Sequence, residues 1–122
     1  MRELTKAEEQ IMQIVWELEK AFVRDIIAKL PEPKPAYNTV STIVRILEEK
    51  AFLSHQAFGK SHQYYPLISR SKYRDFATRK LLSGYFGGSF ENLLSYFAKE
   101  RDLSLKDIQR ILDGINQDEN QH

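Results

Sequence analysis

Ala36-Tyr37-Asn38-Thr39-Val40-Ser41-Thr42-Ile43-Val44-Arg45-Ile46-Leu47-Glu48-Glu49-Lys50 carries two stripes at once. Val40, Ile43, Val44, Leu47 and Ala51 recur with the period of one helix face, which predicts a helix from about Ala36 to Lys50 with that face towards a core. Asn38, Ser41, Thr42 and Arg45 fall at i, i+3, i+4, i+7 on the opposite side. A helix that only packs needs the first stripe. The second is a row of hydrogen-bonding side chains, and that asks for something to bond. Just upstream, Pro31-Glu32-Pro33-Lys34-Pro35 cannot be helical throughout, because each proline drives the residue before it towards extended geometry. It reads as a turn.

Near the N-terminus, Thr5 followed three residues later by Glu8 is a capping box, and Ala7, Ile11, Ile14, Val15 and Leu18, widened by Met12 and Trp16, predict a first amphipathic helix. Val23, Ile26, Ile27 and Leu30 predict a short second one that stops at Pro31 and lacks a capping side chain at Phe22. Downstream, Leu53–Ala57 and His62–Pro66 alternate like strands around Phe58-Gly59-Lys60-Ser61, where Gly59 can take a positive φ. Of Tyr64 and Tyr65, one then faces the core and the other faces outward. Three helices followed by a hairpin is the element order of a winged helix-turn-helix, in which the third helix reads DNA and the hairpin is the wing.

The remaining chain predicts three more helices. Ser69, Ser89 and Ser104 stand at their starts, Gly87-Gly88 ends the first of them, and Asp107 follows Ser104 at capping-box spacing. Their apolar faces hold Tyr73, Phe76, Leu81, Tyr85, Phe86, Phe90, Leu93, Leu94, Phe97, Leu105, Ile108 and Leu112. A segment this short does not close a sound core alone, so these residues are expected to pair two copies in a symmetric homodimer. The expected fold is mainly α with a small β-hairpin wing. Residues 1–68 form a winged helix-turn-helix, and residues 69–122 form a three-helix dimerisation domain.

Composition excludes several alternatives. The 122 residues contain no cysteine, which rules out disulfides, thiolate metal sites and a thiol nucleophile. The histidines are His55, His62 and the terminal His122; with no carboxylate at helical spacing from His55 or His62, we expect no metal, no cofactor and no enzyme activity. His55 and His62 read as surface or groove-lining residues. No apolar run is long enough to span a membrane and the N-terminus lacks the apolar core of a secretion signal, so the expected location is the cytoplasm. Net charge is only +1. Between Lys34 and His62, however, Lys34, Arg45, Lys50 and Lys60 outnumber Glu48 and Glu49.

For base reading, asparagine can bond adenine bidentately, arginine can bond guanine, and a threonine methyl can meet the thymine methyl. Asn38, Ser41, Thr42 and Arg45 are the expected readers of double-stranded DNA. Tyr37, Thr39 and Lys60, the last at the wing tip, are expected on backbone phosphates. Glu48 and Glu49 would be repelled by phosphate, so the N-terminal half of the helix should enter the groove. The weak net charge and this acidic pair leave one alternative, a winged-helix protein–protein adaptor without specific DNA binding.

Leu4-Thr5-Lys6-Ala7-Glu8, Ile11-Met12, Trp16, Thr39-Val40-Ser41-Thr42-Ile43-Val44-Arg45 and Gln63-Tyr64-Tyr65-Pro66-Leu67 together resemble the BlaI/MecI/CopY (penicillinase repressor) family of transcriptional repressors. In the tail, Gly87-Gly88-Ser89-Phe90 and Lys99-Glu100-Arg101-Asp102-Leu103-Ser104 resemble that family's dimerisation domain. The resemblance implies a homodimer on a dyad operator, often with a TACA/TGTA core. It also implies relief of repression when a sensor-linked protease cuts the dimerisation domain in response to β-lactam or other cell-envelope stress. The matching position for the cut is Tyr96-Phe97, with tyrosine where the antibiotic-responsive members have asparagine. The copper-responsive branch holds metal with tail cysteines, which are absent here. Members often carry lysine or arginine at the positions of Asn38 and Ser41, so this chain lacks two charged contacts of that pattern.

Overall fold

The computed structural model describes residues 1–120, with side chains to residue 115; His122 lies outside them. The order is α1 (Lys6–Leu18), α2 (Val23–Lys29), α3 (Tyr37–Glu49), β1 (Leu53–Phe58), β2 (Ser61–Pro66), α4 (Arg70–Tyr85), α5 (Phe90–Glu100) and α6 (Leu105–Asn120). This is the mainly helical chain with one hairpin that the periodicities predict. It divides into two compact units, Met1–Ala77 and the chain from Thr78 on. The first unit thus runs past the expected boundary at residue 68 and takes in the first turns of α4.

The first unit is built on α1, α2 and α3 around one core. Ile11, Met12, Ile14 and Val15 of α1 meet Val23, Ile26 and Leu30 around α2 and Val40, Val44 and Leu47 of α3, with Phe52, Leu53 and Tyr64 closing the far side. Burial of this set follows the predicted stripes, with Ile27 and Ile43 at the edge. Two stripe members depart from expectation. Ala7 is exposed, and so is Ala51, which takes φ 64°. Ala51 is a stop rather than a core residue: its amide and that of Phe52 donate to Glu48 and Leu47 carbonyls, both at 3.0 Å, closing the end of α3 in a Schellman arrangement.

The helix starts are capped from the sequence. The Thr5 amide donates to Glu8 Oε1 at 2.8 Å while the Glu8 amide donates to Thr5 Oγ1 at 3.2 Å. At α2 the missing cap at Phe22 is offset from the other side, where Asp25 Oδ2 accepts from the Phe22 amide at 2.9 Å. β1 and β2 pair antiparallel from Leu53↔Pro66 to Phe58↔Ser61. The strands are therefore longer than the sequence suggests and the turn is two residues, Gly59 and Lys60, with Gly59 at φ 63°. Ala21 makes an isolated antiparallel bridge to Tyr64, its amide and carbonyl both bonded to Tyr64. Tyr64 is buried and Tyr65 is exposed, as alternation requires.

Tyr73 and Phe76 head the expected dimerisation set, yet the structure puts Tyr73 inside its own unit. Tyr73 is 5% exposed, its hydroxyl accepts from the Leu4 amide at 3.0 Å, and its ring lies 5.7 Å from Phe52 and 6.0 Å from Trp16. Trp16 donates through Nε1 to the Ile68 carbonyl at 2.8 Å, which fastens the link into α4. Phe76 is half-buried against the same core. The reason is geometric: an aromatic in the first turn of α4 reaches the N-terminal core before it can reach anything else.

From Thr78 on, no described residue is fully buried. Leu81, Tyr85, Phe90, Phe97 and Leu105 are exposed, while Phe86, Leu93, Leu94, Ile108 and Leu112 are half-buried. Ser89 and Ser104 cap α5 and α6, accepting from Asn92 and Asp107 amides at 3.1 and 3.2 Å. Asp107 returns the favour by accepting from the Ser104 amide and hydroxyl, and these bonds hold its carboxyl below the ordinary range.

Candidate nucleic-acid interface

The polar stripe of α3 is presented outward because the apolar stripe behind it is consumed by the core. Tyr37, Asn38, Thr39, Thr42 and Arg45 are exposed and Ser41 is half-buried. Tyr37 is 59% exposed, an unusual condition for an aromatic with a core beside it. Thr42 Oγ1 donates to the Asn38 carbonyl at 2.8 Å, so its hydroxyl proton is used within the helix and the methyl remains for outside contact. Arg45 reaches back to Ser41 Oγ at 3.4 Å with one nitrogen, which leaves its other donors available. No side-chain hydrogen bond is made at Ala36 and no acid stands in the first turn, while the Thr39 amide donates to the Ala36 carbonyl at 3.1 Å.

The basic excess read from the sequence is largely spent internally. Lys50 Nζ donates to both Glu8 oxygens at 2.8 and 2.9 Å, tying the end of α3 to the start of α1. Glu8 is 5% exposed; burial opposes its ionisation, but the Lys50 ammonium and the Thr5 hydrogen bonds outweigh that and hold its carboxyl below the ordinary value. Lys34 Nζ donates to the Ala28 and Leu30 carbonyls and so closes the C-terminus of α2. Of the four cations counted, Arg45 on α3 and Lys60 in the hairpin turn are the two left facing outward without such a structural bond.

The acids have a similar answer. Glu48 is not simply directed away from the polar face: its Oε2 accepts from His55 Nδ1 at 2.5 Å, fastening α3 to the wing. The His55 and His62 rings stack at 4.0 Å with an angle of 7° between them, and both lie near the Tyr64 ring. Burial raises the Tyr64 phenol, and the Glu48 charge pushes the same way. Sequence reading left His55 and His62 as surface or groove-lining residues and missed this pairing. The signal was there in the ladder: His55 opposite Tyr64 and Ala57 opposite His62 put both rings on one face of the hairpin.

Among the described residues, no group of three histidines, cysteines or acids is placed to hold a metal, and no helix is long and apolar enough to cross a membrane.

A family model described as penicillinase repressor matches residues 4–117. The chain is 26% identical over 115 residues to the methicillin resistance regulatory protein MecI of Staphylococcus aureus (strain N315), covering 93% of this chain and 94% of that one. It is 21% identical over 119 residues to the penicillinase repressor of Bacillus licheniformis, covering 97% and 93%. The solution structure of the DNA binding domain of the repressor BlaI superposes with a TM-score of 0.51 at 25% identity, covering 60% of this chain and 94% of that domain. With the match running almost end to end, this chain belongs to the penicillinase repressor family.

Proposed function

We propose that this transcriptional repressor binds a dyad-symmetric operator in double-stranded DNA as a homodimer, with α3 of each copy in the major groove. The observation that carries the reading is the outward polar stripe, with Asn38, Thr42 and Arg45 exposed and Ser41 half-buried, on a helix whose other face is locked in the core. These four are the base readers, and Tyr37, Thr39 and Lys60 bond phosphates on either side. The similarity to a repressor's DNA binding domain supports the same placement. Such a protein acts where the chromosome is, in the cytoplasm.

Pairing of copies rests on the tail. Its exposed and half-buried apolar residues, Leu81, Tyr85, Phe86, Phe90, Leu93, Leu94, Phe97, Leu105, Ile108 and Leu112, form the dimerisation surface, which gains its cover from the second copy. Repression is relieved when a sensor-linked protease, answering β-lactam or other envelope stress, cuts between Tyr96 and Phe97. Both residues are about half exposed within α5, so α5 must open locally before the bond can lie extended in a protease cleft.

The test is gel retardation of the DNA upstream of the chain's own coding region, against random duplex and across a salt series. Specific retardation with a protected dyad that weakens steeply with salt is expected. Equal affinity for random duplex would refute operator binding and favour the adaptor. For relief, the chain's mass in cells before and after β-lactam exposure should show a fragment ending at Tyr96. Intact protein while target transcripts rise would refute cleavage.

A further inference from the structure

Two histidines and an acid meet where the wing faces α3, and nothing in base reading or dimerisation calls for them. We propose that Glu48, His55 and His62 form a proton-dependent phosphate contact, so that duplex binding tightens as pH falls through neutrality. The inference rests on the reading that α3 occupies the major groove.

The geometry supplies the argument. A hairpin standing beside a helix in the major groove lies along the backbone that flanks that groove, so a phosphate path runs past the place where the two meet. From α3, Tyr37, Arg45 and Glu48 are the groups that act electrostatically on the Tyr64 phenol. The hairpin side carries His55, His62 and Tyr64, and Ala21, which bridges to Tyr64 from the α1–α2 connection, brings no charge. His62 is exposed, while His55 and Glu48 are about one-third exposed.

A carboxylate only accepts hydrogen bonds, so Nδ1 of His55 carries the hydrogen given to Glu48, and Nε2 is the atom left to take up a proton. With both imidazoles neutral the cluster carries the single negative charge of Glu48, next to a path for phosphates. One added proton cancels that charge, and its neutralised state is held by the His55–Glu48 ion pair. A second proton on His62 would make the cluster positive, at the cost of repulsion across a 4.0 Å stack that a phosphate above it would relieve. Every protonation step therefore favours the anion, and by linkage DNA binding must take up protons. Histidine is the side chain that makes such a change near neutral pH. An acid that looked misplaced on a DNA-facing helix becomes half of a switch.

The experiment follows fluorescence anisotropy of a labelled mixed-sequence duplex at low salt between about pH 8 and pH 6. The proteins compared are the full chain, the His55→Gln/His62→Gln double variant and Glu48→Gln, each checked for folding by circular dichroism. The natural chain should bind about tenfold more tightly at the acid end. The double variant should lose most of that slope. Glu48→Gln should bind more tightly than the natural chain at the alkaline end and so flatten the profile from the opposite direction. A flat profile for the natural chain, or an unchanged slope in both variants, would overturn the inference and leave DNA binding standing. Absence of binding at every pH would refute the DNA-binding reading itself, and this inference with it.

Discussion

Replacing Lys50 by methionine keeps the aliphatic stem that packs at the end of α3 but removes the ammonium that serves Glu8. In the natural chain the Lys50 and Glu8 side chains are 17% and 6% exposed, and the two N–H···O bonds measure 2.8 and 2.9 Å. Removing one partner of a buried ion pair costs about 3–5 kcal/mol, because the other charge is left without compensation. Here Lys50 is partly solvated and Glu8 keeps the Thr5 amide, so we expect a loss of about 2–3 kcal/mol at pH 7. For a unit of this size that lowers the melting temperature by roughly 10–20 °C. Urea unfolding followed by the fluorescence of Trp16, the single tryptophan and a member of the first unit, reads it directly. The pH dependence adds a second check. The folded-state value of Glu8 is depressed, so the pair's contribution is full above the unfolded carboxylate value of 4.5 and is lost as pH falls through the folded value. The gap between natural chain and variant must therefore shrink in acid. The Glu8→Gln/Lys50→Met double variant should lose less than the two single losses added together. A loss below about 1 kcal/mol at pH 7, or one that is equal at pH 7 and in acid, would refute the reasoning.

Arg45→Ala should leave thermal stability nearly unchanged, since the side chain is exposed, and weaken operator binding by about 1–3 kcal/mol with relaxed preference at one base pair; an unchanged footprint and affinity would remove it from the readers. Lys60→Ala should weaken all duplexes alike and lower the salt slope by about one unit per chain, measured by anisotropy across a salt series. Light scattering at micromolar concentration should return twice the chain mass of 14.3 kDa, and a monomer there would remove the paired half-sites. Ala51→Gly should stabilise the first unit by about 0.5–1 kcal/mol in urea unfolding, because φ 64° is a strained setting for alanine and an ordinary one for glycine.

Local pattern carried far in this chain. The apolar periods of α1, α2 and α3, the capping residues Thr5, Ser69, Ser89 and Ser104, and the alternation on either side of Gly59 are properties of neighbouring residues. They determined the order and kind of the elements, and from the two stripes of α3 they determined which face would be outward. The sequence alone therefore named a winged helix-turn-helix with a helical tail. Where it was less exact, at the hairpin turn and the end of α3, the outcome depended on backbone conformation, which a residue such as Ala51 does not advertise.

Packing in three dimensions set the destination of the charges and of the aromatics that open α4. Lys34 and Lys50 count as basic residues in any local sum, but one closes α2 and the other neutralises Glu8, which lies 42 positions away in the chain. Glu48 counts as an acid hostile to DNA until His55 is found holding it. Tyr73 reads as one more apolar residue of the tail until its hydroxyl is found bonded to Leu4. The physical reason is the same each time: hydrogen bonds and ion pairs act over a few ångströms of space, and which residues share that space is set by the packing of whole elements, not by their spacing along the chain.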